Sequence, residues 1–193
     1  MEWSKLQDEK ELFIRDMILS NSISAAFQHV KGGVYTKEVT AKQKEEFRKK
    51  IEKYLVGVEK EYHQTSDKNH CERIRDFIKN TADDVALKNG ELSFGVAQKL
   101  VNLYLKYLWC MDKLGTPPHC PIDRFVIDNG CQHPHLYHPW TQMTQEKYVD
   151  AMNEIKQTAG NESLAVWELN LWNDGTSVDK PGRKKLEKYL QLK

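Results

Sequence analysis

The stretch SFGVAQKLVNLYLKYLWCM, residues 93–111, reads as a buried helix that nevertheless keeps two lysines and an asparagine. Lys99, Asn102 and Lys106 stand at i, i+3 and i+7. They share one narrow face beside a wide apolar one made by Val96, Leu100, Leu103, Tyr104, Tyr107, Leu108 and Met111. Lys99 falls about one turn from the helix start. There the unpaired backbone N–H groups and the helix dipole favour anions and disfavour a cation. Partial burial at that point would favour the neutral amine, which is the nucleophilic form. An amine nucleophile gains from a carboxylate that takes its proton or steadies a cationic transition state. PPHCPID, residues 117–123, offers one at Asp123, on a chain restricted by three prolines. Asp123 can also N-cap a helix that follows it, which would fix its orientation. The plainer alternatives are a solvated lysine stripe on a surface helix, a carboxylate that only caps, and an ordinary Asp123–Arg124 surface pair.

FGVAQKLVNLYLKYL followed by PPHCPIDRFV resembles the centre of the helix-hairpin-helix DNA glycosylases of the 8-oxoguanine type. That family opens a helix with apolar-Gly-Val-Gly-x-Lys-x-Ala and places a Pro-Val-Asp downstream. Gly95, Val96 and Lys99 match the hairpin glycine, its neighbour and the catalytic lysine, and Pro121-Ile122-Asp123 matches the aspartate turn. Ala97 stands where the family has its second glycine, and Val101 where it has alanine. The resemblance implies duplex DNA with a damaged base as partner, a base flipped into a pocket, and no cofactor. It implies Lys99 as nucleophile and Asp123 as the group that stabilises positive charge on the sugar. A Schiff base to Lys99 would then allow strand cleavage. The implied DNA-facing set is Gly95, Val96 and Ala97 through backbone N–H groups and Lys106 through its side chain; Asn102 on the same face and His119 beside Asp123 are further DNA-binding candidates. Arg183, Lys184 and Lys185 would reach flanking phosphates. Trp109 and Trp140 are the candidates for a stacking face in the base pocket.

Cys110, His119, Cys120, Cys131, His133, His135 and His138 crowd into 29 residues. Cysteine and histidine are zinc's ligands, but there is no C-x-x-C pair and no H-x-x-x-H on a helix, so no metal is assigned. A His-rich surface loop accounts for the same residues. The chain shows no phosphate-binding glycine loop, no dinucleotide fingerprint and no Gly-x-Ser-x-Gly.

The elements that must position these residues are helices. Residues 2–19 follow helical spacing through Trp3, Leu6, Phe13 and Met17, and a short second helix is expected from Ser22 or Ser24 to the KGG at 31–33. Thr40 is a good N-cap for a long helix with Phe47, Ile51, Tyr54, Leu55 and Val58 on one face. CERIRDFIKNTADDVALKNG reads as a helix running to Asn89-Gly90, followed by the core helix 94–111. The Pro-rich stretch 115–123 is extended. RFVID is a short helix or strand, and residues 129–140 form a loop. A helix then starts at Thr141 or Thr144 and stops at Gly160. The next places Leu164, Trp167, Leu171 and Trp172 on one side, and a basic helix covers 181–193. With no alternating pattern and no internal repeat, the expected class is all-α: one domain over 1–193, helix-hairpin-helix glycosylase-like.

Composition bounds the rest. Apolar residues are 39% and charged residues 30%, which suits a packed globular chain. A net charge of +1 excludes a polycation, so nucleic-acid binding needs a local patch. The four cysteines are widely and irregularly spaced, which suits reduced thiols. No signal-peptide pattern and no long apolar run is present, so a cytoplasmic monomer with no membrane contact is expected. The rival to the enzyme is a non-catalytic helical domain that binds nucleic acid or protein, with or without a zinc ion.

Overall fold

The structure is a computed structural model and describes residues 2–60, 62, 67–82 and 84–174. The described residues form seven α-helices: α1 Glu2–Phe27, α2 Ala41–Lys60, α3 Asp67–Thr81, α4 Phe94–Cys110, α5 Arg124–Gly130, α6 Gln145–Ala159 and α7 Leu164–Asp174. Two single 3-10 turns, Pro134–Leu136 and Trp140–Gln142, lie between α5 and α6. There is no strand among the described residues, only an isolated bridge between Tyr35 and Leu87. The class is all-α. No helix among them is long and apolar enough to cross a membrane.

α4 is the axis of the packing. It touches α1, α2, α3, α6 and the Trp140–Gln142 turn. Every residue from Phe94 to Asn102 is buried, as are Tyr104, Leu105, Lys106 and Leu108. A helix enclosed on this many sides has no solvent stripe, so its polar residues must find partners inside. Ser93 starts it: its Oγ accepts from Val96 N at 3.2 Å and donates to Thr141 O at 2.6 Å. One hydroxyl thus caps the helix and ties down the turn that covers it.

The stripe expected on α2 is present: Phe47, Ile51, Leu55 and Val58 are buried. Thr40 and Gln43 cap it reciprocally, with Gln43 N donating to Thr40 Oγ1 at 3.2 Å and Thr40 N to Gln43 Oε1 at 2.8 Å. α1 is held to α2 by the two-pronged Arg15–Glu59 pair and by Arg48–Asp16.

Two expectations on helix boundaries are corrected. The first helix does not break near residue 20; α1 runs on through Ser20, Asn21 and Ser22. Ser22 satisfies its hydroxyl within the helix by donating to Ile18 O at 2.8 Å. The helix expected to reach Gly90 ends at Thr81. Beyond it, Asp84 Oδ1 accepts from Ala86 N, while Ala86 O and Lys88 N pair with Thr36 N and Val34 O. Those backbone groups spend their hydrogen bonds across the chain instead of along a helix. RFVID forms helix α5. On α7 the buried side is Leu164, Ala165 and Glu168, with Trp167 half-buried; Trp172, expected in the core, is 46% exposed. Of the two proposed caps for α6, Thr144 is the one used, and Gly160 ends the helix at φ +63°. The basic helix 181–193, with Arg183, Lys184 and Lys185, lies outside the described residues.

Candidate functional site

Lys99 and Asp123 meet. Lys99 Nζ lies 3.0 Å from Asp123 Oδ2. The lysine is 4% exposed, so it is not a solvated stripe. Asp123 also N-caps α5, since its Oδ1 accepts from Val126 N at 3.2 Å. Each carboxylate oxygen therefore has its own partner, and the cap holds the second oxygen toward the amine. The ammonium also lies 4.6 Å from the centroid of the Trp140 ring, a cation–π contact.

The Pro-rich segment that carries Asp123 is fastened to α4 by Gln98. This side chain is fully buried. Its Nε2 donates to Ile122 O at 2.6 Å and its Oε1 accepts from Ile122 N at 3.1 Å. Such a two-way amide pair imitates a strand ladder at the one residue that precedes Asp123. Asn102, one turn on, supports it. Its Nδ2 donates to Gln98 Oε1 at 3.2 Å, Cys120 O at 3.0 Å and Tyr148 Oη at 3.1 Å, and its Oδ1 bonds His70 at 2.7 Å. The position of Asp123 is thus set from both sides: by Gln98 before it and by the α5 cap after it.

Asp123 and Trp140 line an open cleft of about 1260 Å³, together with His29, Arg124, Asp128 and His138. His138 bonds Asp128 Oδ1 at 2.8 Å. The cleft wall mixes both signs of charge with apolar rings.

The remaining expected site residues are placed differently. Gly95, Val96 and Ala97 have no N–H to offer a phosphate. Gly95 N donates to Met143 O, Val96 N to Ser93 Oγ and Ala97 N to Ser93 O. The Trp140 turn lies directly on Gly95: a Cβ there would stand 1.9 Å from Trp140 O. The glycine is required for this close approach to protein backbone. Asn102, expected to face DNA, is fully buried in the network above. Lys106, expected on a phosphate, is 8% exposed and pairs with the buried Glu168 at 2.5 Å. His119 is 3% exposed, bonds Tyr148 Oη at 2.7 Å, and lines a different cavity from Asp123. Trp109 is half-buried at the far end of α4 and does not line the cleft; Trp140 does. Asn102 and Lys106 are inside because α4 is enclosed, not because their side chains lack chemistry.

Among the described residues no three His, Cys, Asp or Glu side chains gather as a metal-ligand set. His133 instead joins Gln132 N and Tyr137 around Glu154. Burial opposes ionisation of Glu154, but the hydrogen bonds from Tyr137, His133 and Gln132 outweigh it and hold the carboxyl below its usual range. Burial pushes the Cys131 thiol up to about 12, with Glu154 and Asp128 adding to the effect, and burial also raises Cys120 far above its usual value. Neither thiol is a nucleophile near neutral pH.

Gln98, Tyr148, His70 and Glu168 were missed as parts of the site region. Gln98 carried a signal, being a fully polar residue in an apolar helix beside Lys99. The others come from 32 to 62 residues away along the chain, and nothing local marks them. No family model, no curated protein and no solved structure matches the chain.

Proposed function

We propose that the chain is a DNA base-excision glycosylase with lyase activity, acting on an oxidised purine such as 8-oxoguanine in duplex DNA. The observation that carries this reading is the Lys99–Asp123 pair: a buried amine 3.0 Å from a carboxylate that lines an open cleft. A structural role alone asks only that the two charges neutralise. The reading adds three supports: the carboxylate is oriented by a helix cap, the segment bearing it is clamped by Gln98, and Trp140 offers an aromatic wall at the same cleft.

In this mechanism the Lys99 ammonium first gives up a proton, for which Asp123 Oδ2 is in reach. The amine attacks the sugar carbon that bears the base. The N–C bond to the sugar forms as the bond to the base breaks, and the base leaves with the electron pair and takes up a proton. The departing base takes that proton from Asp123, and the restored carboxylate stabilises the positive charge that develops on the sugar. Ring opening gives a Schiff base on Lys99. Loss of a proton from the neighbouring carbon then expels the 3′ phosphate. The protein needs no cofactor for these steps. Phosphate contacts fall to other groups than the Gly95, Val96 and Ala97 amides, which are spent.

That closure of the α4 N-terminus favours one second reading: a non-catalytic helical domain in which Lys99 and Asp123 only join α4 to α5. Borohydride trapping separates the two. The enzyme yields a covalent adduct with duplex DNA containing 8-oxoguanine and with DNA containing an abasic site, and Lys99→Gln yields neither. A folded native chain that forms no adduct with either DNA supports the second reading.

A further inference from the structure

A second cavity, of about 360 Å³, opens between α3 and α6 and shares no lining residue with the Asp123–Trp140 cleft. Its wall is apolar where Cys71, Val149 and Met152 face it. Its rim is cationic, with Lys68, Arg75 and Lys156 against one acidic lining group, Glu72. Glu146, at the start of α6, also acts on Arg75. Gln145, Asn153 and His119 complete the lining, and of these His119 is nearly inaccessible.

His119 is held in place by the buried network around Asn102. Its ring bonds the fully buried Tyr148 at 2.7 Å and meets His70 edge-on, 4.6 Å between centroids. The residue after it, Cys120, is anchored through its carbonyl to Asn102. Its segment is stiffened by Pro117, Pro118 and Pro121. A pocket of this size, with apolar walls and one fixed polar group, is built as a small-molecule site is built. The excess of cations at the mouth selects the sign of the ligand.

We infer that the α3–α6 cavity binds a small organic anion. The apolar body lies against Val149, Met152 and Cys71, the acidic head lies among Lys68, Arg75 and Lys156, and His119 bounds the inner end. This site is independent of the chemistry proposed at Lys99.

Anilinonaphthalene sulfonate has this chemistry and serves as the probe. The native full-length chain is titrated with the dye, following its fluorescence and the rise in melting temperature that marks binding to the folded form. The double variant Lys68→Glu/Arg75→Glu, at exposed positions, weakens binding about tenfold or more. Val149→Trp, also exposed, fills the mouth and removes binding. Lys42→Glu, a distant charge reversal on α2, leaves it unchanged. Dye binding that raises no melting temperature, or that survives both cavity variants, overturns the inference. So does a native chain that binds no dye.

Discussion

Gln98→Glu exchanges one atom and tests the clamp that sets Asp123. In the native chain Nε2 donates to Ile122 O at 2.6 Å and to Gly95 O at 3.0 Å. Glutamate replaces that donor with an oxygen facing two carbonyls in a fully buried site. Protonated, it can still donate one hydrogen bond and keep the Ile122 pair. Ionised, it is a buried charge with no cation, which costs about 3–5 kcal/mol. The folded chain therefore holds the carboxyl proton more tightly than the unfolded chain, where ionisation occurs near about 4.3. The stability of the variant relative to native is thus best at low pH. It declines as pH rises above the unfolded value and levels off once the folded carboxyl has ionised. Urea unfolding of variant and native chain at pH 5 and pH 8 should show a deficit of about 1 kcal/mol growing to about 3–5 kcal/mol. Gln98→Ala should show a deficit that does not change with pH. A Gln98→Glu deficit that is flat with pH would refute the clamp, because it would mean the new carboxyl is hydrated and away from Ile122.

Lys106→Met should cost about 3–5 kcal/mol in urea unfolding by leaving buried Glu168 without its ammonium, while Lys106→Met/Glu168→Leu should come back to within about 1 kcal/mol of native. An additive double variant would contradict the pairing. Gly95→Ala should destabilise by about 3 kcal/mol, because its methyl collides with the Trp140 carbonyl, and Trp140 fluorescence should shift as the turn is pushed away. A neutral Gly95→Ala would show that the turn does not lie on α4. Glu154 has its carboxyl held low, so the stability it contributes is present above its ordinary value of 4.5 and is lost as pH falls through the lower folded value. Acid titration of unfolding should lose that part of its slope in Glu154→Gln; an unchanged acid limb would remove Glu154 from the account.

The all-α class was legible because helical spacing is local, and so was the meeting of Lys99 with Asp123. Pro117, Pro118 and Pro121 keep the connecting chain short and stiff, and Asp123 stands where a cap is needed. The roles of Asn102, Lys106 and His119 were not legible. A polar residue on an apolar helix reads as solvent-facing until its buried partner is known. Tyr148, Glu168 and His70 come from other helices. The closing of the α4 N-terminus was hidden for the same reason. Nothing around Gly95 indicates that Trp140 and Met143, some 45 residues on, would lie on it. The overrun of α3 toward Gly90 has a local cause that spacing does not weigh. Asp84 captures a backbone N–H that a helix would have used.

The most direct test of the central claim locates the bond. Native protein is trapped with borohydride on abasic duplex DNA, digested with nuclease and trypsin, and the peptide that carries the sugar remnant is sequenced by mass spectrometry. The account predicts the remnant on Lys99. A remnant on another lysine or on the terminal amine, or an adduct formed as readily by Lys99→Gln, contradicts it.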